Sequence, residues 1–263
     1  MTLQSEMTIE RTLATGDARN VAMDWGDAHH YSPAPRHRRR ILLKLIRNIG
    51  FQDCLDAGCA QPFLIDEITR RFGVPGFGCD MSDQTMAANQ KVLPKIQFRP
   101  MDLTKDRWPG GRQFDLVVCS EVLEHIPNWQ QALENLLAMT RRYLLITVPS
   151  GQRRAMDRMV GHTQHFAGPE LRAALEAGNC EILRLFRWGF PVHSLYKRLI
   201  SSMSPDRLYD QFAATGYGFR EKLLCQMLYV AFFLNVFDSG DQLIVLARKK
   251  LAASNEMTPA SRA

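Results

Sequence analysis

Several familiar signatures are missing from this chain. None of its six cysteines (Cys54, Cys59, Cys79, Cys119, Cys180 and Cys225) forms a Cys-x-x-Cys pair. A cysteine zinc site and a disulfide framework are therefore not expected, and a reducing, cytoplasmic setting is. Residues 1–20 hold no apolar run of the kind a secretory signal needs. No apolar stretch reaches the roughly 18 residues required to cross a bilayer. The nearest, LLCQMLYVAFFLNVF at 223–237, is interrupted by Gln226 and Asn235. After Gly58 the chain reads GCAQPF, without the further glycines of G-x-G-x-x-G, which excludes a dinucleotide-dependent dehydrogenase.

What is present begins with charge. The chain of 263 residues carries 33 basic and 27 acidic side chains, a net +6. Six of the basic residues (Arg36, Arg38, Arg39, Arg40, Lys44 and Arg47) fall within 36–47, where there is no acid. This one stretch accounts for the whole excess. With Ile41, Leu42, Leu45, Ile46 and Ile49 on one side it reads as a basic amphipathic helix. Either it covers the core with its charges solvated, or it meets an anionic partner: a membrane surface, a phosphate-bearing substrate or nucleic acid.

From Gln52 onward short apolar runs alternate with helical patterns. Strands are expected at 54–57, 77–80, 96–101, 114–120, 143–148, 181–186 and 242–247. Helices are expected near 63–72, 84–92, 129–139 and 169–177. Strands separated by helices imply parallel βαβ units and a doubly wound α/β sheet. Residues 1–50 form an N-terminal extension, 51–250 the main domain with a helical insertion at 189–240, and 251–263 a disordered tail. Within the insertion, 194–203 and 223–237 look helical; the second reads as a buried cap helix, or as a lid for a lipophilic substrate or membrane surface.

Acids stand at three successive strand ends. Asp56 ends the first strand beside Gly58, whose turn lets backbone approach a ligand at the following helix. Asp80 ends the second strand, where a carboxylate can accept from ribose hydroxyls. Asp102 ends the third, placed for an adenine amino group.

LDAGCA, GFGCD, MDLT, FDLVVCSEVLEHIPN and LLITVPSG together resemble the class I S-adenosylmethionine-dependent methyltransferases over about 52–148, notably the branch of ubiquinone-biosynthesis O-methyltransferases. The resemblance implies a Rossmann-like, seven-stranded sheet with its last strand antiparallel. It also implies an S-adenosyl-L-methionine site made by Asp56, Gly58, Ala60, Asp80, Met81, Asp102, Leu103 and Ser120. Two positions depart from the family, which has glycine where this chain has Ala60 and Pro62. Pro62 suits the first residue of a helix.

Methyl transfer needs alignment of the acceptor, and an oxygen acceptor also needs its proton removed. Glu121, His125 and His165 are the candidate catalytic residues. If the turn after the fourth strand is helical, Glu121, Glu124 and His125 share one face. With His162 they would make a divalent cation site, a constellation that resembles the RNA 3′-end 2′-O-methyltransferases. A metal-free histidine base is the favoured alternative. His29, His30 and Tyr31 read as a polar loop near the acceptor mouth. The expectation is O-methylation of a small lipophilic or anionic acceptor by a cytoplasmic enzyme, with two readings open for the basic helix and the apolar run: peripheral association with anionic membrane, or a solvated helix over a buried cap. Its rivals are an RNA 2′-O-methyltransferase, an N- or C-methyltransferase and a silent donor-binding relative.

Overall fold

A computed structural model describes residues 26–202 and 216–250. Expectations for the first 25 residues and for the tail at 251–263 lie outside the described residues.

The strands are β1 (Cys54–Ala57), β2 (Gly76–Asp80), β3 (Gln97–Pro100), β4 (Phe114–Ser120), β5 (Thr140–Pro149), β6 (Cys180–Phe190), β7 (Val236–Phe237) and β8 (Gln242–Lys249). They form one sheet in the order β3-β2-β1-β4-β5-β8-β6-β7. β1 to β5 pair in parallel, and β8 runs antiparallel to both β5 and β6. The antiparallel last strand matches the expectation. The strand number differs, because the two-residue β7 pairs with the end of β6 and lengthens the edge. So short a strand has no period for a sequence to display.

Both faces of the sheet are covered, as an apolar parallel sheet requires. In β4 the side chains alternate: Val117 and Cys119 enter one core layer, Leu116 and Val118 the other. The helices are α1 (Gly26–Tyr31), α2 (Pro33–Ile46), α3 (Phe63–Phe72), α4 (Asp83–Val92), α5 (Trp129–Met139), α6 (Ala155–Met159), α7 (Gly168–Ala177), α8 (Val192–Ser201) and α9 (Phe219–Ala231). α2 joins the same layer as α3, burying Ile41, Leu42, Leu43 and Ile46.

Three local expectations are corrected. His29, His30 and Tyr31 lie in α1 and not in a loop. The apolar run at 223–237 is not a single helix: α9 stops at Ala231, a 3-10 turn covers Phe232–Leu234, and β7 follows. Nor is it a buried cap, since α9 has no buried residue and Phe232 alone within the turn is buried. No helix among the described residues is long and apolar enough to cross a membrane.

Candidate active site

The topology reverses at β1, whose neighbours are β2 and β4, so a crevice opens at the carboxyl ends of these strands. Gly58 turns the chain there at φ +79°, and a Cβ on it would lie 2.3 Å from Cγ2 of Val122, so only glycine fits. Ala60 follows with φ 39°, a left-handed conformation that explains why glycine is the usual occupant.

Asp56 is buried, and no hydrogen bond reaches its carboxylate among the described residues. Burial, and then the charge of Asp80, push its carboxyl up to about 7. A buried carboxylate in this state calls for a cation. The sulfonium and ammonium of S-adenosylmethionine would supply it, so these residues fit the donor. Asp80 accepts from the backbone N–H of Ala60 (3.0 Å) and of Ser82 (3.3 Å), which fixes it at the crevice. Met81, the residue after Asp80, is exposed, and Leu103 is buried. Asp102 faces its own loop: Oδ1 accepts from the Thr104 backbone N–H (2.9 Å) and hydroxyl (2.7 Å), and Oδ2 pairs with Lys105 (2.9 Å). Those hydrogen bonds and that cation hold its carboxyl below the usual range despite the opposing effect of desolvation. The carboxylate expected to meet adenine is thus engaged in a local turn.

Across the crevice, β4 ends in Ser120, and Glu121 follows it. Glu121 adopts φ 59°, a strained conformation for a side-chain-bearing residue. Its backbone N–H is held by the Thr147 carbonyl (2.9 Å). Its carboxylate accepts from Gln242 Nε2 (2.7 Å) and the Thr147 hydroxyl (3.0 Å), and pairs with Arg38 (3.2 Å). Because Thr147 spends its proton on Glu121, Ser120 must donate to Thr147 at 2.9 Å. Arg38 and these donors keep Glu121 ionised against burial.

Glu124 is the opposite case. The 3-10 turn Leu123–His125 turns it into the core, fully buried, with neither oxygen hydrogen-bonded. Burial and the neighbouring Glu121 raise its carboxyl well above the usual value, which favours its neutral form. The expected shared helical face of Glu121, Glu124 and His125 does not form. Glu121 belongs to the strand end, Glu124 points inward and His125 lies exposed at the rim.

The loop after β5 folds back onto this turn. Thr163 donates to the Glu124 carbonyl through its N–H (2.8 Å) and hydroxyl (2.9 Å), and Gln164 Nε2 donates to the carbonyls of Leu123 (3.2 Å) and Ile126 (3.0 Å). His162 thereby lies against His125, with ring centres 4.8 Å apart. Donor atoms of Glu124, His125 and His162 come within 4.8 Å of one another, as do those of Asp157, His162 and His165. Glu121, read from the sequence as a fourth cation ligand, is in neither group.

The tautomers of this chain follow by elimination. His165 Nδ1 is 3.1 Å from the Gly151 carbonyl, which can only accept, so Nδ1 carries the proton. Its Nε2, 3.1 Å from His162 Nδ1, then accepts from His162. The remaining nitrogen of His162, Nε2, is left without a proton. Burial chiefly, and His125 next, lower His162 to about 4, and partial burial lowers His125 and His165 too, so all three are neutral at pH 7. Asp157, paired with Lys197 at 3.0 Å, lies beneath the two paired rings. Beyond His165 opens a cavity of about 560 Å³, lined also by Ser150, Arg187 and Asp238.

Sequence reasoning missed Arg38, Thr147, Gln242 and Asp157 as members of the site. Only Arg38 had a signal, its place in the basic stretch.

Comparison with known proteins bears on the family and the fold. A model of the methyltransferase domain family matches residues 28–221. This chain belongs to the class I methyltransferases. The ubiquinone biosynthesis O-methyltransferase of Coxiella burnetii is 26% identical over 137 residues, covering 46% of this chain and 54% of that protein. The methyltransferase chain thus spans about half the length of the curated relatives it matches. Among solved structures, the cyclase SpnF superposes with a TM-score of 0.58 at 18% identity, covering 83% of this chain and 82% of its own. Phosphoethanolamine N-methyltransferase 2 of Haemonchus contortus, solved with S-adenosylhomocysteine, superposes with 0.55 at 16% identity, covering 83% of this chain and 53% of its own. At such identities the likeness is one of fold.

Proposed function

We propose that this methyltransferase moves the methyl group of S-adenosylmethionine to an oxygen of a small acceptor, with a neutral histidine taking the acceptor's proton. The observation that carries the reading is the His125–His162–His165 cluster. Its rings are neutral at neutral pH, with His162 Nε2 free of a proton, and it is packed against the end of β4, beside the donor crevice. The donor supplies an activated methyl; the chain's own residues bind, align and deprotonate. His162 Nε2 is the proton acceptor in this reading, and its Nδ1 proton can pass to His165 and on toward the cavity. Arg38 and ionised Glu121 stand at the acceptor side, where they would orient a polar or anionic group.

The test is transfer of labelled methyl from the donor into cell extract separated into lipid-soluble, aqueous small-molecule and RNA fractions. Label in a small-molecule or lipid fraction, lost in His162→Gln, supports the reading; label in RNA alone overturns it. With an acceptor in hand, the acid limb of kcat/KM should fall near pH 4, well below the ordinary histidine value of about 6.5.

A second reading rests on the orphaned Glu124 carboxylate. With His125 and His162 it would hold a divalent cation, whose charge would ionise it and acidify an acceptor hydroxyl. Undiminished turnover in chelator rejects this reading.

A further inference from the structure

Twelve of the fifteen large apolar side chains that are exposed among the described residues lie between Phe190 and Phe237. Such concentration on one part of a surface is unusual for a protein that meets only water. On α9 the spacing is regular. Phe219, Leu223, Met227 and Val230 follow one another by four, four and three positions, which makes a single outward stripe. Phe233 and Leu234 extend it through the following turn, and Phe237 lies beyond on β7.

The other side of α9 is fastened to the basic helix. Arg36 stacks 3.8 Å above the ring of Tyr229 and donates to Gln226 (3.1 Å), Arg40 stacks 4.3 Å above Phe233, and His37 bonds the Tyr229 carbonyl (2.7 Å). Lys222 sits 4.7 Å from the ring of Tyr31. The positive stretch and the apolar run, nearly 200 residues apart in sequence, are therefore one surface. Among the described residues, Arg36, Arg40, Arg198, Arg220 and Lys222 take part in no ion pair, and Glu221 is the single described acid within 190–237.

We propose that this face docks on an anionic lipid bilayer, its phenylalanine and leucine side chains entering the interfacial region and its cations meeting lipid phosphates. An apolar stripe rimmed by arginine and lysine matches that environment in polarity and sign. α9 has 13 residues, too few to span, so the helix lies along the surface. The same helix that braces the face, α2, carries Arg38 into the active site.

The test is co-sedimentation of the full chain with vesicles of phosphatidylcholine and phosphatidylglycerol at about three to one, and with phosphatidylcholine alone, at low and high salt. Binding is expected to the anionic vesicles, to weaken about fivefold for each of Arg198→Gln and Arg220→Gln, and to vanish in the double variant Met227→Glu with Val230→Glu. All four residues are exposed or at the surface, so donor affinity should stay unchanged and reports the fold. Anionic-vesicle binding equal in wild type and the double variant overturns the proposal. So does absence of binding at low salt, including the case in which sedimentation equilibrium shows a dimer that the double variant dissociates, since a second copy would then cover the face.

Discussion

The donor half and the acceptor half of the crevice are built on different plans. At the ends of β1, β2 and β3, each functional side chain is placed by the strand that carries it. Asp56, Gly58, Ala60 and Asp80 span 25 positions and touch largely one another. On the acceptor side the same sheet edge gathers Arg38, Glu121, Thr147, His162, His165 and Gln242, drawn from more than 200 positions. The first plan leaves a motif in sequence. The second leaves single residues whose company is decided only when α2, the loop after β5 and β8 close around the end of β4. Donor binding can thus persist in a family while the acceptor side is reassembled.

If the donor half depends on backbone, its most damaging change is the smallest one. Gly58→Ala should cost about 2–4 kcal/mol, from a left-handed alanine and a methyl driven into Val122. Denaturant unfolding checks the stability, and titration should show donor binding lost. If the acceptor half depends on charge pairing, its two glutamates should respond differently. Glu121→Gln leaves Arg38 without its counter-ion in a largely buried place and should cost about 1–3 kcal/mol. Glu124→Gln removes a carboxyl whose neutral form burial already favours and should cost less than about 1 kcal/mol. Equal losses in thermal or chemical unfolding would break the contrast. The smallest effect belongs to Ala60→Gly, which relieves a left-handed alanine and should stabilise by about 1 kcal/mol or less.

The alternation of strands and helices and the strand ends bearing Asp56 and Asp80 were legible because periodicity and strand-end position are local properties, while the antiparallel last strand came only through the family resemblance. Glu121 shows the limit. Its place in EVLEH reads as a helical turn, whereas the chain takes φ 59° there because Thr147 and Gln242, on two other strands, capture both its backbone and its carboxylate. The apolar run at 223–237 misled for a related reason. Hydrophobicity predicts burial when there is a surface to bury against, and α9 meets α2 on one side only. The basic stretch was neither simply solvated nor simply a patch. Arg38 and Arg39 pair with Glu121 and Glu67, while Arg36 and Arg40 lie on aromatic rings.

The central claim is that the buried, uncompensated Asp56 beside Asp80 awaits the cationic donor. Asp56 has its carboxyl raised to about 7 in the free protein, and its ionised form binds a cation better. Donor binding should therefore release a proton and tighten as pH rises. Calorimetric titration of S-adenosylmethionine at pH 6 and pH 8, in buffers of different ionisation enthalpy, measures both. The account predicts binding about tenfold tighter at pH 8, with proton release at pH 6 and both effects lost in Asp56→Asn. Absence of binding at millimolar donor, or an affinity and proton count in the wild type that do not change with pH, would contradict it.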